Sequence, residues 1–333
     1  MMEGWVAGVS FGKPCPLHFS KPNSIVGPAF AACLGVAEIF RQAIGLTPPE
    51  PYKSYFSLYD FSNSKNQGDL YNPIVSEVPE FGRIHQIGCG AVGSSFDYLL
   101  SLTNWKANIQ LIDDDRVDIT NCNRSLAFGA KEACTGRRKV DVCANILNSS
   151  HFPFDVFNGK YNDFVDTGRC IDSPPDIILC LANEDAVWST IQNNFPPLVL
   201  HATTTSNWGL NFGRHIPKKE WCVLCRFSQD IQHNFIPVCG KGILESNGED
   251  EPIQGVLPFL SPAAAVLIFA EMAKMCLDKY PTSENFIQFS MKNPQNNFLR
   301  MNRGPDPKCL CNYQSIDLYP AQIRNGRFWQ LSK

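Results

Sequence analysis

The chain has 333 residues, of which 44% are hydrophobic and 18% are charged, and its formal net charge at pH 7 is −3. This is ordinary globular composition, enough for one large domain with an appendage or for two modest domains. The balanced charge and the lack of a polybasic tract argue against nucleic acid and against a membrane surface as partners.

Two further features of the sequence bear on where the protein works. The longest apolar run, from Pro262 to Cys276, contains Glu271 and Lys274, so it is too short and too charged to span a bilayer. The first residues lack the basic region and the apolar core of a signal peptide. The 14 cysteines have no regular secreted framework. We therefore expect a cytoplasmic protein whose cysteines serve metal binding or catalysis rather than disulfides.

Residues 1–80 are rich in proline and give one clear element, a helix over 27–42 with Pro28 near its first turn. The helix is apolar on almost all sides, so we expect it to be buried, against the rest of the chain or between subunits. We treat 1–80 as an N-terminal extension and 81–333 as the main domain.

Residues 81–200 alternate between strand-like and helix-like runs. The strand-like runs lie near 84–87, 108–112, 154–157, 176–180 and 197–202, and the helix-like runs near 92–103, 136–148 and 184–194. This alternation predicts an α/β fold, with a doubly wound, mostly parallel Rossmann-like sheet and helices on both faces. Ligands of such sheets lie beyond the carboxyl ends of the strands.

A glycine motif lies between the first strand and the first helix of this region. Gly88, Gly90 and Gly93 fit G-x-G-x-x-G, in which the glycines allow a tight turn, close approach of a phosphate, and packing of helix on strand. A phosphate would then lie at a helix N-terminus. Asp113, at the end of the next strand, can accept hydrogen bonds from a ribose. The motif predicts a nucleotide site; a structural glycine turn and a dinucleotide-dependent oxidoreductase are the alternatives at this point.

The residues that follow favour ATP chemistry. They read Asp113-x-Asp115-x-Val117, then Asn121-x-x-Arg124, then Gly136-Arg-Arg-Lys139. A dehydrogenase does not need these cations, whereas an enzyme that attacks the α-phosphate of ATP needs them to stabilise charge in the transition state. The combined pattern resembles the adenylation domain of the ubiquitin-activating enzyme family, which includes bacterial adenylyltransferases of thiamine and molybdopterin synthesis.

The resemblance implies a role for each of these side chains. Asp113 would bind the ribose of ATP, and Asn121, Arg124 and Lys139 would handle the phosphates, with Arg124 and Lys139 acting in catalysis. Surface charge is the alternative for both cations. Asp115 would belong to the same nucleotide site. For both Asp115 and the nearby Asp118, the alternative is a carboxylate that lies on the surface or caps a helix.

The loop after the strand that ends at Cys180 departs from the family pattern. The sulfur-carrier enzymes have an aspartate there that holds magnesium, and Asn183 stands at the matching position here, followed by Glu184 and Asp185. Because ATP arrives with Mg²⁺, which prefers oxygen ligands, we expect Asn183 or Asp185 to contribute.

Two close cysteine pairs, Cys222-x-x-Cys225 and Cys309-x-Cys311, could supply four thiolates to a tetrahedral zinc ion. Two buried free pairs are the alternative. A redox role fits less well, because Cys222 does not follow a thioredoxin-like strand at a helix start. Related bacterial activating enzymes carry two cysteine pairs flanking the same long helix, so the resemblance implies a structural zinc that ties the tail to the crossover region.

An irregular crossover loop over 226–256 follows the first cysteine pair. It contains the unpaired Cys239, close to Lys241, and a nearby cation lowers the pKa of a thiol. An enzyme that passes its substrate on as a thioester needs such a nucleophile, so Cys239 is the candidate. A passive loop cysteine is the alternative, and Cys225 and Cys15 are rivals.

A long helix follows the crossover loop, and we expect Ser261 to be its cap.

Within the family, the chain most resembles activating enzymes of bacterial ubiquitin-like conjugation operons, some of them antiviral. Three features carry this resemblance: the helix 31–41, the Ala-Asn-Glu loop 182–184, and the run 214–226 with its first cysteine pair. It implies a homodimer, an acyl-adenylate at the C-terminus of a ubiquitin-like protein, a thioester, and transfer to a conjugating enzyme. Arg41 is then a candidate for reaching the nucleotide of the partner subunit, and a surface arginine is the alternative. The alternatives are a sulfur-carrier or tRNA-modifying adenylyltransferase without thioester transfer, and a catalytically idle scaffold that binds a partner protein.

Overall fold

The computed structural model describes most of the chain. The described residues are 2–13, 24–46, 48–74, 78–148, 152–205, 207–226, 257–277, 284–293, 295 and 298–332. Within these ranges, none of the helices combines the length and the apolar character needed to cross a membrane.

The N-terminal extension contains a small antiparallel sheet as well as the predicted helix. Its strands, in spatial order, are β1 (Met2–Glu3), β2 (Val6–Phe11), β3 (Tyr52–Ser57) and β4 (Asn63–Ser64). The helix α1 (Val26–Ala43) connects β2 to β3 in sequence. Sequence reasoning missed this sheet, because the pairing of β2 with β3 joins segments some forty residues apart.

The main sheet has eight strands. In chain order they are β5 (Glu80–Ile87), β6 (Lys106–Ile112), β7 (Phe154–Phe157), β8 (Ile177–Cys180), β9 (Leu198–Thr204), β10 (Gly209–His215), β11 (Phe286–Ser290) and β12 (Leu299–Met301). Their spatial order is β12-β11-β10-β9-β8-β5-β6-β7. The strands from β9 to β7 run parallel and β10 to β12 are antiparallel, which confirms the predicted mostly parallel α/β fold.

The helices that follow α1 mostly connect or cover these strands. They are α2 (Ala91–Ser101), α3 (Ala130–Cys134), α4 (Lys139–Asn148), α5 (Tyr161–Asp166), α6 (Arg169–Asp172), α7 (Asp185–Asn193), α8 (Val223–Arg226), α9 (Leu260–Met275), α10 (Leu310–Tyr313) and α11 (Ala321–Arg324). The predicted helix over 136–148 begins at Lys139, because Gly136 has φ +56° and Arg138 forms a β-bridge with Arg116.

Both faces of the parallel strands are covered by apolar side chains. Successive residues of β8 alternate between two apolar clusters: Ile177 and Leu179 pack in the cluster that includes α2, α4 and α9, and Ile178 and Cys180 pack in the one that includes α5 and α7. A strand that is apolar on both faces is typical of a parallel sheet between helix layers. The ends of these strands are therefore the places where polar ligands can bind.

The long helix α9 corrects the expected cap and has an unusual interior. It begins at Leu260 after Phe259, and no side chain caps it, so Ser261 lies inside the first turn instead of capping it. Its two charged residues are completely buried, and Glu271 lies 2.6 Å from both Lys274 and Arg214 of β10. Arg214 also pairs with Glu220. These charges compensate one another inside the protein, as buried ions require.

Helix α1 is buried on one side against its own chain, while burial of its other side between subunits stays a prediction. Leu34 and Phe30 are buried, whereas Val36 and Ile39 on the opposite side are 45% and 69% exposed. Arg41 is buried and points into its own chain: it lies 2.8 Å from Glu38 and donates to the Lys292 carbonyl oxygen at 3.1 Å. The expectation that Arg41 reaches a partner's nucleotide is therefore wrong for this conformation.

Candidate nucleotide and metal sites

A cleft of about 310 Å³ opens at the carboxyl ends of β5, β6 and β8. The predicted site residues on its wall are Gly88, Gly90, Asp113, Asp115, Lys139 and Asn183. They come from four separate segments of the chain, which the parallel sheet brings to one edge.

The glycine turn has little room for side chains. Gly88 has φ +103°, and a Cβ there would lie 2.9 Å from the backbone of Leu181 and Ala182. Gly93 lies behind the cleft wall, where a Cβ would overlap the carbonyl oxygen of Gly88. Gly90 precedes α2 and has no heavy atom within 4 Å of its Cβ position. A phosphate can thus approach Gly90 at the N-terminus of α2.

Asp113 is already oriented by the backbone. Its Oδ2 accepts a hydrogen bond from the Cys89 N–H at 2.6 Å, and its Oδ1 accepts one from the Asp115 N–H at 2.8 Å. Each carboxylate oxygen can accept a second hydrogen bond, so both stay open to ribose hydroxyls. Burial raises the pKa of this carboxyl, and the charge of Lys139 and the two N–H donors oppose that rise.

Lys139 is the first residue of α4, and its Nζ lies 2.6 Å from Asp115 Oδ2. The Asp115 side chain is 65% exposed. The Lys139 side chain is 12% exposed, so water reaches the pair mainly at Asp115. An ion pair that water screens on one side contributes on the order of 1 kcal/mol, so Lys139 can exchange Asp115 for a phosphate.

Several predicted residues do not line this cleft. Asn121 ends a short 3₁₀ helix over Ile119–Asn121, and its Oδ1 accepts from the Asp118 N–H at 3.0 Å. Arg124 donates to the Thr120 carbonyl oxygen at 2.7 Å. Asp118 is the cap of the 3₁₀ helix, because its carboxylate accepts from the Thr120 N–H at 2.8 Å. Asp118 is therefore a capping carboxylate, the alternative that the sequence left open for it.

The magnesium candidates are now distinguishable by position. Asn183 and Glu184 line the cleft and Asp185 does not. The carboxylates of Asp113, Asp114 and Asp115 also offer oxygens within 4.8 Å of one another. Mg²⁺ binds carboxylate, carbonyl and water oxygens, so this wall suits a cation that accompanies ATP.

Sequence reasoning missed the wall that follows β7. Gly159, the exposed Lys160 and the buried Tyr161 line the cleft there. The signal was available, because β7 was predicted as a strand of the same parallel sheet and its carboxyl end had to lie beside the ligand.

The four cysteines of the two pairs come together. Cys222 Sγ lies 3.5 Å from Cys309 Sγ, and Cys225 Sγ lies 3.3 Å from Cys311 Sγ. All four sulfurs lie within 4.8 Å of one another, and the Asp306 N–H donates to Cys225 Sγ at 3.4 Å. Hydrogen bonds from the other thiols lower the pKa of Cys225. Four converging sulfurs, at least one inclined to ionise, are the donor set that tetrahedral zinc takes. Cys239 and Cys15 lie outside the described residues.

Buried neighbours hold the first pair in place. His215 Nδ1 lies 2.9 Å from the Glu220 carbonyl oxygen and 3.2 Å from that of Trp221. The Ile216 N–H and the Arg214 guanidinium donate to the Glu220 carboxylate. These contacts fix the backbone that leads into Cys222, as ligand-bearing loops require.

The sheet order and the cleft are those of the adenylation fold found in ubiquitin-activating (E1) enzymes. A family model described as the ThiF family matches residues 80–311, well over half of the sequence, so the chain belongs to the ThiF family. No curated protein matches the chain.

The chain is also similar to solved structures, and two structures of MccB have the same fold. Escherichia coli MccB with AMPCPP and selenomethionine MccA is 20% identical, with a TM-score of 0.50 over 69% of this chain and 66% of that one. Escherichia coli MccB with ATP is also 20% identical, with a TM-score of 0.50 over 69% and 65%. PaaA is 14% identical, with a TM-score of 0.48 over 66% and 72%. The chain thus spans about two thirds of the length of MccB, and the likeness is one of fold.

The close contact at Gly93 generates a prediction. Gly93→Ala forces a methyl group against the Gly88 carbonyl oxygen, so we expect the free energy of unfolding to fall by about 1–3 kcal/mol and nucleotide affinity to fall with it. Urea unfolding and titration with an ATP analogue measure the two effects. Gly304→Ala is the control, because nothing lies within 4 Å of its Cβ position. Unchanged stability and affinity in Gly93→Ala would refute this account of the glycine turn.

Proposed function

We propose that the protein uses ATP to adenylate the C-terminal carboxylate of a ubiquitin-like protein, captures the acyl group on a cysteine as a thioester, and passes it to a conjugating enzyme. The observation that carries the adenylation step is the cleft, where a glycine turn, an oriented carboxylate and a lysine meet at one sheet edge. The ThiF family match over 80–311 includes all of these residues.

The cleft residues suit the chemistry of adenylation. A carboxylate attacks the α-phosphate of ATP, an acyl-phosphate bond forms, and pyrophosphate leaves. Negative charge increases on the phosphates during this step, and preformed cations and N–H groups stabilise it. We assign this work to Lys139 and the N-terminus of α2, with Asp113 holding the ribose.

Arg124 and Asn121 act from beside the cleft in this proposal. Arg124 follows the 3₁₀ helix over Ile119–Asn121, and its guanidinium donates to the Thr120 carbonyl oxygen at 2.7 Å. A bound triphosphate is a stronger partner for a guanidinium than a carbonyl oxygen, because the hydrogen bond is then charged on both sides. We therefore expect Arg124 to turn toward the phosphates, with Asn121 beside it. Asn183 would help to hold Mg²⁺, which would neutralise part of the charge on the phosphates.

The solved structures support the nucleotide part of the proposal. MccB has been crystallised with ATP, and with AMPCPP together with MccA, so the shared fold can hold a nucleotide. The ubiquitin-like substrate and the conjugating enzyme rest on the resemblance of motifs in this sequence. The exposed apolar side of α1, with Val36 and Ile39, supports a homodimer in which a second copy covers it.

We predict that Lys139→Ala and Arg124→Ala each slow ATP–pyrophosphate exchange by about a hundredfold or more, since each removes a cation from the developing phosphate charge. Lys131→Ala is the control, because Lys131 is an exposed lysine of α3 that does not line the cleft. Exchange at the wild-type rate in either variant would remove that residue from the proposal. Hydride transfer to NAD by the wild type would overturn the adenylation function.

The thioester step gives a second prediction. Cys239→Ala should retain pyrophosphate exchange, because adenylation does not use the thiol, and should lose the reductant-sensitive conjugate with the ubiquitin-like protein on a gel. Cys134→Ser, at an exposed cysteine, is the control and should keep the conjugate. A Cys239→Ala protein that still forms it would move the nucleophile to another cysteine. A wild type that makes the adenylate without a thioester would favour the sulfur-carrier or tRNA-modifying alternative.

We also propose that Cys222, Cys225, Cys309 and Cys311 bind a structural zinc ion. Protein purified without chelator should contain about one zinc per chain by elemental analysis. The double variant Cys309→Ser/Cys311→Ser should lose the metal and unfold at lower temperature, because half of the sulfur ligands are gone. Cys134→Ser should keep both zinc and stability. Unchanged zinc in the double variant would show that the second pair does not contribute.

A further inference from the structure

A cluster of polar side chains lies directly beneath the glycine turn, outside the cleft. Its members are Gln86, Cys89, Asp97 and Cys143, each 0% exposed. Each one is within about a helical turn, along the chain, of a predicted nucleotide residue: Gln86 and Cys89 flank Gly88, Asp97 follows Gly93 on α2, and Cys143 follows Lys139 on α4. The cluster thus joins the rear sides of the elements that build the nucleotide site.

Hydrogen bonds connect these elements through Asp97. Gln86 Nε2 donates to Asp97 Oδ2 at 3.1 Å, and the Cys143 thiol is close enough to the Asp97 carboxyl to act on its pKa. Cys143 Sγ lies 3.9 Å from the Cys89 carbonyl oxygen. The Gln86 amide passes so close to Gly93 that a Cβ there would lie 3.0 Å from Nε2. A displacement of Asp97 would therefore change the position of both the glycine turn and the start of α4.

The donors and acceptors of the cluster do not balance if Asp97 is ionised. Asp97 Oδ1 and Gln86 Oε1 are both buried acceptors that lack a hydrogen-bond partner. No cation among the described residues forms an ion pair with Asp97. A carboxylic acid brings a donor into this group of acceptors, whereas a carboxylate adds an unpaired buried charge. Burial raises the pKa of Asp97 from 3.8 to about 7.

We infer that Asp97 is a positioning residue of the nucleotide site. In its neutral form, its contacts hold the glycine turn and the first turn of α4 in position. When Asp97 ionises, these contacts weaken and both turns can move. This inference rests on the proposed binding of ATP in the cleft. The negative charge of a bound triphosphate also opposes ionisation of Asp97, so ATP binding and protonation of Asp97 should favour each other.

The two thiols beside Asp97 do not titrate near neutral pH. Burial raises the pKa of the Cys89 thiol to about 11 and that of Cys143 well above its usual value, so both stay neutral. Asp113, which follows β6, acts electrostatically on Cys89 and is held by backbone donors. Helix α9 meets α2 through Phe269 against Phe96, an apolar contact. Asp97 is therefore the group that can make this site sensitive to pH.

The sign follows from the raised pKa of Asp97. Because the folded protein holds the proton more tightly than the unfolded chain, the contribution of Asp97 to the free energy of unfolding is greatest below the ordinary pKa of 3.8 and falls as the pH rises to about 7. If the site binds ATP with Asp97 neutral, the affinity for ATP falls as the pH rises above about 7. Above this pH, ATP binding must be accompanied by uptake of a proton.

The test is calorimetric titration of the wild type with AMPCPP and Mg²⁺ between about pH 6 and about pH 8, in buffers of different ionisation enthalpy. We expect the wild-type Kd to rise by about tenfold over this range relative to Asp97→Asn, with proton uptake that the variant lacks. Asp97→Asn carries a neutral side chain with donors at every pH, so its affinity should match that of the wild type at the low end. Asp172→Asn, at an exposed aspartate of α6, controls for the titration of the nucleotide and for the lost charge.

The outcomes separate the inference from the proposed function. Equal pH profiles for the wild type and Asp97→Asn would overturn the positioning role while leaving ATP binding intact. An Asp97→Asn protein that fails to fold would also overturn it, because an amide resembles the neutral acid. A wild type that binds no AMPCPP at any pH would overturn the proposed function itself, and this inference with it.

Discussion

The close packing of α2 on the turn after β5 is the constraint on which the nucleotide cleft depends. Gly93 leaves no room for a side chain over the Gly88 carbonyl oxygen, so the helix begins directly above the strand end. The Gly88 N–H donates to the Ile112 carbonyl oxygen at 2.9 Å, and the next N–H, that of Cys89, donates to Asp113. The same short turn thus orients the helix N-terminus and the carboxylate of the neighbouring strand.

Charged side chains are arranged differently at the nucleotide cleft and near the cysteine cluster. At the cleft, Lys139 pairs with the exposed Asp115, an interaction weak enough to be replaced by a ligand. Near the cysteine cluster, Arg214 is fully buried and pairs with Glu220 and Glu271. Removing one partner of such a buried network costs about 3–5 kcal/mol. The first arrangement suits exchange during a reaction, and the second suits permanent support.

The parallel part of the fold could be predicted from the sequence because each strand is a short apolar run between turn residues, and all five runs were confirmed. The nucleotide wall was predictable for the same reason, since strand order brings Gly88, Asp113 and Asn183 to one edge. The approach of Cys222 to Cys309 across 87 residues was predicted from the preference of zinc for thiolates together with the family resemblance.

Other features depend on contacts that no local pattern records. The β2–β3 pairing joins distant segments, so the N-terminal sheet was missed. Arg41 was a candidate for reaching a partner's nucleotide, yet its contacts with Glu38 and the Lys292 carbonyl oxygen turn it inward. The pairing of Glu271 with Arg214 explains why a nearly apolar helix carries charges, and it involves a strand 57 residues away. Burial of these groups follows from tertiary packing, which local propensity does not determine.

The central claim is that ATP binds in this cleft in the orientation needed for attack on its α-phosphate. The most direct measurement is a crystal structure of the protein with AMPCPP and Mg²⁺. The account predicts a ribose hydroxyl within hydrogen-bond distance of Asp113, phosphates at the N-terminus of α2 beside Gly90, and the Lys139 ammonium turned from Asp115 to the phosphates. A nucleotide bound elsewhere, or one whose phosphates point away from Gly90 and Lys139, would contradict it.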